Sequence, residues 1–302
     1  MTRRIRSILS AAGAMTAAGL IAAACGTSTT TTPSTSAPAA PSAAVSSIAA
    51  KVPSSVKSKG TLSVAADATY APNEFIAPDG HTVIGMDADL ARALGSVMGL
   101  RVNMINATFD TIIPGLASGK YDLGMSSFTD TKARQQTVDF VTYFSAGTSF
   151  YVKASGGPAV TSLSELCGHT VAVEKGTTQQ SDAQAQVSKC KSAGKPAPTV
   201  QVFNDQNAVN LALSSGRAQV AMADSPVADY QVKQSNGTFK LSGQPYGTAP
   251  YGIAIPKNNG MAPVVLAALK HLMANGTYQR ILSHWGVQSG AITSPVINGA
   301  TS

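Results

Sequence analysis

Aromatic and charged residues are scarce in this sequence. Of its 302 residues, 6% are Phe, Trp or Tyr and 12% are Asp, Glu, Lys or Arg. Surfaces that bind nucleic acids combine clustered basic residues with exposed aromatic rings, so this composition argues against a nucleic-acid partner. The formal net charge is +7. Arg3, Arg4 and Arg6 supply three of these charges in a segment that we expect to be removed, which leaves a mild excess of +4 on the mature chain.

Residue patterns of catalysis and of metal binding are also missing. The four histidines are scattered, and no two of them stand at a spacing typical of metal ligands. The sequence has no nucleophile elbow, no metalloprotease motif and no glycine-rich phosphate loop. We therefore predict a protein that is not an enzyme and that binds no metal and no cofactor.

The amino terminus has the three-part pattern of an export signal. A basic start is followed by an apolar stretch from Ile8 and by small residues that end at Cys25. Because Cys25 is followed by Gly26, we predict a signal peptide over 1–24 and a lipidated Cys25 that anchors the protein to the outer face of the cytoplasmic membrane. Ala22 stands where Leu is more usual in such sites, and ordinary secretion with cleavage nearby is the alternative.

The segment after Cys25 is almost wholly Ser, Thr, Ala and Pro up to about Ser58. Such a composition buries too little apolar area to offset its ordering entropy. We therefore predict a disordered tether over 25–58 that keeps a globular body close to the membrane.

Two cysteines remain in the exported part of the chain, Cys167 and Cys190. An oxidising compartment favours a disulfide between them. It would close a loop of ~23 residues, worth roughly 3 kcal/mol in the chain-entropy model.

Strand and helix patterns alternate along the body, which indicates βαβ units and a mostly parallel sheet. Asp67 and Tyr70 follow a predicted strand at 61–66, and Asp224 follows another at 219–223. Ligands of open α/β sheets bind beyond the carboxyl ends of the strands, so these side chains are candidates for a site.

Hydroxyl groups and one arginine follow a short apolar strand in the segment 126–140, SSFTDTKARQQTVDF. The hydroxyl-bearing candidates are Ser126, Ser127 and Thr129. A guanidinium binds a carboxylate through two parallel hydrogen bonds, so Arg134 and these hydroxyls are a plausible carboxylate clamp. The alternative is a solvated turn in which Arg134 pairs with Asp130 or Asp139.

Asp87 and Asp89 stand two residues apart at the start of a predicted helix. Paired carboxylates are compatible with acid/base chemistry. An Asp near a helix start is more often an N-terminal cap that the helix dipole favours, and we predict a cap.

Three segments together carry a family resemblance: GMDADLARAL at 85–94, IIPGLASGKYDLGM at 112–125, and 126–140. In this order they resemble the extracellular solute-binding proteins of ABC importers, in the family that binds polar amino acids (family 3). The resemblance covers about 61–287 and implies a two-lobed α/β fold of the periplasmic-binding-protein type II, each lobe a sheet flanked by helices.

In the resembling family the chain crosses between the lobes twice, here near 146–150 and 246–250, and these two segments form the hinge. The implied bounds are 59–148 and 249–288 for the first lobe, 149–248 for the second lobe, and 289–302 for a C-terminal tail.

The resemblance also implies a function and a site. The protein would act as a monomer that captures a polar L-amino acid in the interlobe cleft and delivers it to an ABC transporter permease. Arg134, Ser127 and Thr129 would hold the α-carboxylate, helped by a backbone N–H at Thr178, and Asp224 would hold the ammonium group. The other expected ligand-binding residues are Asp67, Tyr70, Glu74, Phe109, Ser126 and Thr177.

Selectivity is expected to depend on the far end of this pocket. Tyr70 and Phe109 occupy positions where the family flanks the ligand side chain, and Asp67 and Glu74 would make that end acidic. Asn73 replaces a common aromatic residue and makes the wall more polar. We therefore predict a preference for polar or cationic side chains, unless Glu74 only braces its own loop.

Two other functions remain open from the sequence. Some exported dehydratases that make aromatic precursors resemble these receptors, and in such an enzyme Asp67, Glu74 or Asp224 would transfer a proton. The third possibility is a sensor that signals to a kinase.

Overall fold

A computed structural model describes residues 43–300 of the chain. The predicted signal peptide, the lipidated Cys25 and the first part of the tether lie outside the described residues. No helix within residues 43–300 has the length and apolar character needed to cross a membrane.

The described residues form an α/β fold, as predicted. The strands are β1 Thr61–Ala66, β2 Thr69–Tyr70, β3 Glu74–Ile76, β4 Val83–Ile84, β5 Arg101–Asn106, β6 Leu123–Gly124, β7 Val138–Lys153, β8 Thr170–Glu174, β9 Thr199–Phe203, β10 Val220–Asp224 and β11 Phe239–Pro256. The α-helices are α1 Ser46–Ala49, α2 Ser54–Lys59, α3 Met86–Val97, α4 Phe109–Ala117, α5 Thr178–Ser192, α6 Gln206–Ser214, α7 Ser225–Gln234, α8 Met261–Ala274 and α9 Thr277–Trp285. Short 3-10 helices lie at Arg134–Gln136, Leu163–Leu166 and Gln288–Gly290.

One sheet in the described chain has the strand order β5-β1-β6-β11-β7-β10-β8-β9. The outer strands pair in parallel, β1 with β5 and β6, and β8 with β9 and β10. We call the half with β5, β1 and β6 the first lobe and the half with β10, β8 and β9 the second lobe. The long strands β7 and β11 are antiparallel and run through both halves. The chain therefore passes between the lobes along these two strands.

The sequence alone favours two separate strands in each of the long ones, at 140–144 and 149–153 within β7 and at 239–241 and 251–255 within β11. β7 and β11 instead stay paired across the crossing, and their register shifts between Ser242 and Tyr246 and again between Tyr246 and Ala249. Irregular pairing of this kind absorbs extra residues without ending the strand. Gly147 and Gly247 therefore do not break the pairing, although they resemble strand terminators in the sequence.

Each lobe has an apolar core, and a further buried cluster that includes Phe109 and Val209 spans both lobes. In the first lobe, β1 and β11 pack against α3 and α8 through fully buried residues such as Leu62, Leu90 and Leu269. In the second lobe, β8 and β10 pack against α5 through Val171 and Met222. These cores hold the carboxyl ends of the strands of each lobe in fixed positions.

The predicted tether is wrong over residues 43–58. Val45, Ile48, Val52 and Val56 recur every three or four residues, in α1 and α2 and in the segments beside them. Val52 and Val56 are buried in the core of the first lobe. The Val45 amide also donates to Val97 O at 3.0 Å. The surrounding Ser, Ala and Pro residues hid this periodic pattern in the average composition.

The predicted disulfide joins Cys167 to Cys190, with their Cα atoms 5.6 Å apart. Cys167 follows the 3-10 helix Leu163–Leu166, which begins with a capping box of Ser162 and Glu165. The disulfide therefore fixes α5 to this turn inside the second lobe.

Residues after Gly290 lie along the edge of β7 in the first lobe. Backbone bridges join Ile297 to Val141, and Asn298 Nδ2 donates to Asp139 Oδ1 at 3.0 Å. Lys257 Nζ also contacts Asp139 Oδ1 at 3.0 Å. Asp139 is therefore part of this surface contact, and it does not pair with Arg134.

Candidate functional site

A cavity lies between the two lobes, beyond the carboxyl ends of their strands. Eight sequence-predicted residues line it: Tyr70, Phe109, Ser127, Thr129, Arg134, Thr177, Thr178 and Asp224. Residues that sequence reasoning missed also line it: Glu174, Gln179, Gln206, Met222, Ala223 and Val227. The cavity volume is about 20 Å³, which is room for about one water molecule. The two lobes are therefore closed on each other in this structure.

Arg134 extends from the first lobe across this cavity. Its guanidinium lies over the rings of Phe109 and Phe128, 5.2 and 5.5 Å from their centroids. One amino group donates to Thr129 O at 2.8 Å and the other to Gly176 O of the second lobe at 2.9 Å. Burial lowers the pKa of Arg134, and the Asp224 carboxylate opposes this shift. A guanidinium has five N–H donors, so a carboxylate can still bind to it.

Ser127 is held rigidly at the wall of the cavity. Its φ of +51° lies in the left-handed region, which a serine adopts only with local support. The amide donates to Asp87 Oδ2 at 3.0 Å, and the hydroxyl donates to Glu74 Oε2 at 3.2 Å. Asn73 Nδ2 donates to Ser127 Oγ at 3.0 Å. These contacts fix the backbone and the hydroxyl together.

Asp87 does not have the capping role predicted for it, and Glu74, expected either to line the pocket or to brace its loop, lies behind the cavity wall. Asp87 does not cap α3, since Gly85 stands at the N-cap and no side chain caps the helix. Tyr143 Oη donates to Asp87 at 2.7 Å. Glu74 lies behind Ser127 and outside the cavity lining. Burial raises the pKa of Asp87 to about 6, and burial and then the Asp87 carboxylate raise the pKa of Glu74 well above its usual range.

Asp224 faces Arg134 from the second lobe. It stands at the N-cap of α7, yet its carboxylate accepts no capping hydrogen bond. It accepts instead from Tyr251 Oη and from Gln179 Nε2, both at 2.6 Å. Burial raises the pKa of Asp224 to about 6, and the two hydrogen bonds and the Arg134 charge hold it down. The carboxylate is therefore mostly ionised at neutral pH.

Aromatic rings form one wall. Tyr70 and Phe109 meet edge to face with centroids 5.7 Å apart, and Phe109 stacks on Phe128 at 4.6 Å. A ligand side chain that enters beside them would contact flat apolar faces.

Asp67 and Ser126 support this wall from outside the cavity lining. Asp67 accepts from Thr69 Oγ1 at 2.7 Å and from the Phe109 amide at 3.0 Å. Ser126 Oγ accepts from the Asp67 amide at 2.8 Å. Burial raises the pKa of Asp67, and the hydrogen bonds from Thr69 and Phe109 lower it by less than burial raises it. Asp67 lines a neighbouring cavity of about 500 Å³ between the lobes.

The second lobe contributes the start of α5. Thr177 is its N-cap, and its hydroxyl accepts from the Gln180 amide at 3.1 Å. Thr178 is the first helical residue and lines the cavity. The amino end of a 15-residue helix favours a negatively charged group.

Contacts beside the cavity join the two lobes. Lys175 Nζ lies 2.8 Å from Asp110 Oδ2. The Gln206 amide donates to Thr69 Oγ1 at 3.1 Å. The backbone of Gly176 also approaches Asp110 so closely that a Cβ atom there would lie 2.9 Å from Asp110 Cβ.

This chain is similar in sequence to known proteins. The sequence profile of the bacterial extracellular solute-binding proteins, family 3, matches residues 62–288. The arginine-binding protein ArgT of Corynebacterium glutamicum is 33% identical over 255 residues, with 84% of this chain and 83% of the relative covered. The ABC transporter arginine-binding protein 1 of Escherichia coli is 30% identical, with 72% of this chain and 87% of the relative covered.

Solved structures agree with this relationship. An ancestral arginine-binding protein bound to arginine has a TM-score of 0.68 and 36% identity, covering 75% of this chain and 98% of its own. The ancestral amino acid-binding protein AncCDT-1, a precursor of cyclohexadienyl dehydratase, has a TM-score of 0.66 and 31% identity, covering 76% of this chain and 97% of its own. The profile, the relatives and the two-lobed fold agree, and the chain belongs to the bacterial extracellular solute-binding proteins, family 3.

Proposed function

We propose that this protein captures a polar L-amino acid in the interlobe cavity and delivers it to the permease of an ABC importer. One observation carries the proposal: Arg134 of the first lobe and the Asp224 carboxylate of the second lobe line the same small cavity. An α-amino acid presents a carboxylate and an ammonium group on one carbon, and these two side chains are complementary to that pair.

Each end of the ligand backbone then has a partner. The α-carboxylate binds Arg134, the hydroxyls of Ser127 and Thr129, and the amide end of α5 at Thr178. The ammonium group binds Asp224, which is mostly ionised above pH 6. Charge-assisted hydrogen bonds are strong in such a cavity because water is largely excluded.

Binding requires the lobes to open and to close again. A cavity of about 20 Å³ is much smaller than an amino acid, so the lobes must separate to admit the ligand and then close around it with more room than in this structure. The ligand reaches partners on both lobes only after closure, and it therefore favours the closed arrangement. The irregular pairing of β7 with β11 near residues 242–249 supports a hinge at the predicted crossings. The permease would recognise the closed form.

The side chain of the ligand is proposed to be cationic. The rings of Tyr70 and Phe109 suit an extended methylene chain and a cation, and Asp67 and Glu174 bring two acids to this end. Similar proteins are named as arginine-binding, in C. glutamicum and in E. coli. Arginine is therefore the first ligand to test.

The proposal also concerns how the protein is attached to the cell surface. Cys25, which lies outside the described residues, would carry a lipid that keeps a monomeric receptor beside its permease. The extracellular family to which the chain belongs supports an exported protein.

Isothermal titration with arginine and two of its analogues tests the proposed contacts. Agmatine lacks the α-carboxylate, and the desamino analogue lacks the ammonium group. We expect Arg134→Ala to weaken arginine binding by at least ~2 kcal/mol, because it removes charge-assisted bonds in a dry site. The same variant should change agmatine binding much less. Arg101→Ala, at an exposed strand position, is the control and should bind arginine normally.

An exported dehydratase is the second candidate. The feature that favours it is a buried carboxyl in the cavity, since the pKa of Glu174 is raised to about 10 by burial and then by the Asp67 carboxylate. Such a group is a possible general acid. Incubation with a cyclohexadienyl acid, followed by ultraviolet absorbance of an aromatic product, separates the two functions. Turnover that Glu174→Gln abolishes would favour the enzyme.

A further inference from the structure

Glu174 is a buried acid in the wall of the cavity. It is the last residue of β8, only 1% exposed, and it lines the cavity. Among the described residues, neither of its carboxylate oxygens has a partner at hydrogen-bond distance and angle, although the Tyr70 hydroxyl and the Asp67 carboxyl lie near enough to affect its pKa. A buried polar group normally has a partner, because leaving it without one is costly. This side chain is therefore arranged for a group that comes from outside the protein.

The groups around Glu174 are acidic or phenolic. Asp67 lies beside it from the end of β1, and Asp205 faces it from the start of α6. The hydroxyls of Tyr70 on β2 and Tyr151 on β7 are the other titratable neighbours. Lys175, the next residue along the chain, pairs with Asp110 of the first lobe. Two neighbouring carboxyls in a poorly solvated site cannot both be ionised at low cost, so Glu174 keeps its proton.

We propose that Glu174 determines specificity at the side-chain end of the pocket, and that it binds a cationic side chain by releasing its own proton to solvent. This inference rests on the proposed amino-acid-binding function. In the exchange, the O–H bond of the Glu174 carboxyl breaks, the proton goes to the buffer, and the carboxylate pairs with the guanidinium or ammonium group of the ligand. The protonated Glu174 carboxyl is neutral before binding, and after binding the charges of the Glu174 carboxylate and the cationic side chain add up to zero.

Such an exchange discriminates among ligands by charge. A cationic side chain gains a partner that a neutral side chain cannot use. A neutral amide can accept a hydrogen bond from the protonated carboxyl, so it binds without any proton release. An acidic side chain would meet Asp67 and Glu174 together and is rejected.

Proton release is measurable on the unmodified protein. Arginine and glutamine are titrated by calorimetry at pH 7.5 in two buffers with different enthalpies of ionisation. The pKa of Glu174 before binding is about 10, so almost every copy is protonated at this pH. We expect about one proton released per arginine bound and none per glutamine. Arginine binding without proton release would overturn the inference while leaving the proposed function intact.

The pH dependence of selectivity gives a second readout. The ratio of the glutamine Kd to the arginine Kd should rise about tenfold per pH unit between pH 6.5 and 8.5. Titration of Asp224 and of the ligand ammonium affects both ligands equally and cancels in this ratio. A ratio independent of pH would contradict the exchange.

Glu174→Gln is the matching variant, because glutamine has the shape of the protonated acid and cannot ionise. It should abolish the proton release, lower arginine affinity at least tenfold and leave glutamine binding nearly unchanged. Glu165→Gln makes the same change at an exposed capping position of the same lobe and should behave as the unmodified protein. If Glu174→Gln still released a proton with arginine, Asp67 would be the source and the inference would fail. If no amino acid bound the unmodified protein, the proposed function itself would fail.

Discussion

Lobe closure brings Gly176 of the second lobe against Asp110 of the first, and Gly176→Ala should weaken ligand binding by blocking this contact. An added Cβ would lie 2.9 Å from Asp110 Cβ and 3.2 Å from its Cα. Backbone atoms cannot move aside as a flexible side chain can. Overpacking of this kind costs about 1–3 kcal/mol. Because only the closed form has the clash, Kd for arginine should rise roughly 5- to 150-fold, at about 1.4 kcal/mol per tenfold.

A second cost of this substitution affects folding and must be separated from closure. Gly176 has a φ of +79°, where an alanine costs about 1–2 kcal/mol in the open and closed forms alike. Gly194 is the matched control in the same lobe, with a φ of +70° and nothing within 4 Å of its added Cβ. Both variants should lose similar unfolding free energy in denaturant, and Gly194→Ala should keep its arginine affinity.

Calorimetry on the two variants and on a double variant completes the test. Asp110→Gly removes the Cβ that clashes, so it should restore part of the affinity that Gly176→Ala loses, as a coupling energy in a double-mutant cycle. If Gly176→Ala bound arginine as well as Gly194→Ala does, the closed arrangement would not be the ligand-binding form.

Three further predictions concern other parts of the chain. Affinity for amino acids with a neutral side chain should fall about tenfold per pH unit below pH 6, because protonated Asp224 cannot accept the ammonium group, and Asp224→Asn should bind weakly at all pH values in calorimetry. Replacing both Cys167 and Cys190 by Ala should lower the unfolding free energy in urea by roughly 3 kcal/mol, for a loop closed over 23 residues; equal stability would argue against the disulfide. Cys25→Ser should move the protein from the membrane fraction to the soluble fraction with unchanged ligand affinity, and an unmodified protein that is already soluble would favour ordinary secretion.

The arrangement of strands was largely predictable, because each strand ends at a recognisable polar turn. Asp67 and Asp224 were placed correctly at strand ends by that rule alone. Glu174 follows the strand TVAV in the same way. It was missed because a Glu before Lys and Gly is usually a solvated turn residue, and its burial depends on closure of the other lobe.

Two other differences from prediction come from contacts between segments that are distant in the chain. Glu74 was expected in the pocket. Its side chain instead lies behind the cavity wall, where it accepts a hydrogen bond from the Ser127 hydroxyl, because the β2–β3 turn directs it there. Asp87 was expected to cap α3, and instead it accepts from Tyr143, 56 residues away in the chain. Contacts between distant segments override local preference, and neither the composition nor the spacing of nearby residues contains them.

The residues between 43 and 58 were missed for a different reason. The tether prediction averaged composition over the whole segment, whereas the spacing of Val45, Ile48, Val52 and Val56 is helical. Four apolar side chains in sixteen positions are enough to dock two short helices on an existing core. A search for periodicity within the polar segment would have found them.

A thermal-shift screen of the twenty amino acids tests the central claim, that the cavity binds a polar amino acid with a cationic side chain. A ligand at 100 times its Kd stabilises the folded protein by about 2.7 kcal/mol, which for a body of this size raises Tm by roughly 5–10 °C. We expect arginine or another cationic amino acid to give the largest shift. A largest shift with glutamate or aspartate would contradict the acidic pocket, and no shift with any amino acid would contradict the receptor function.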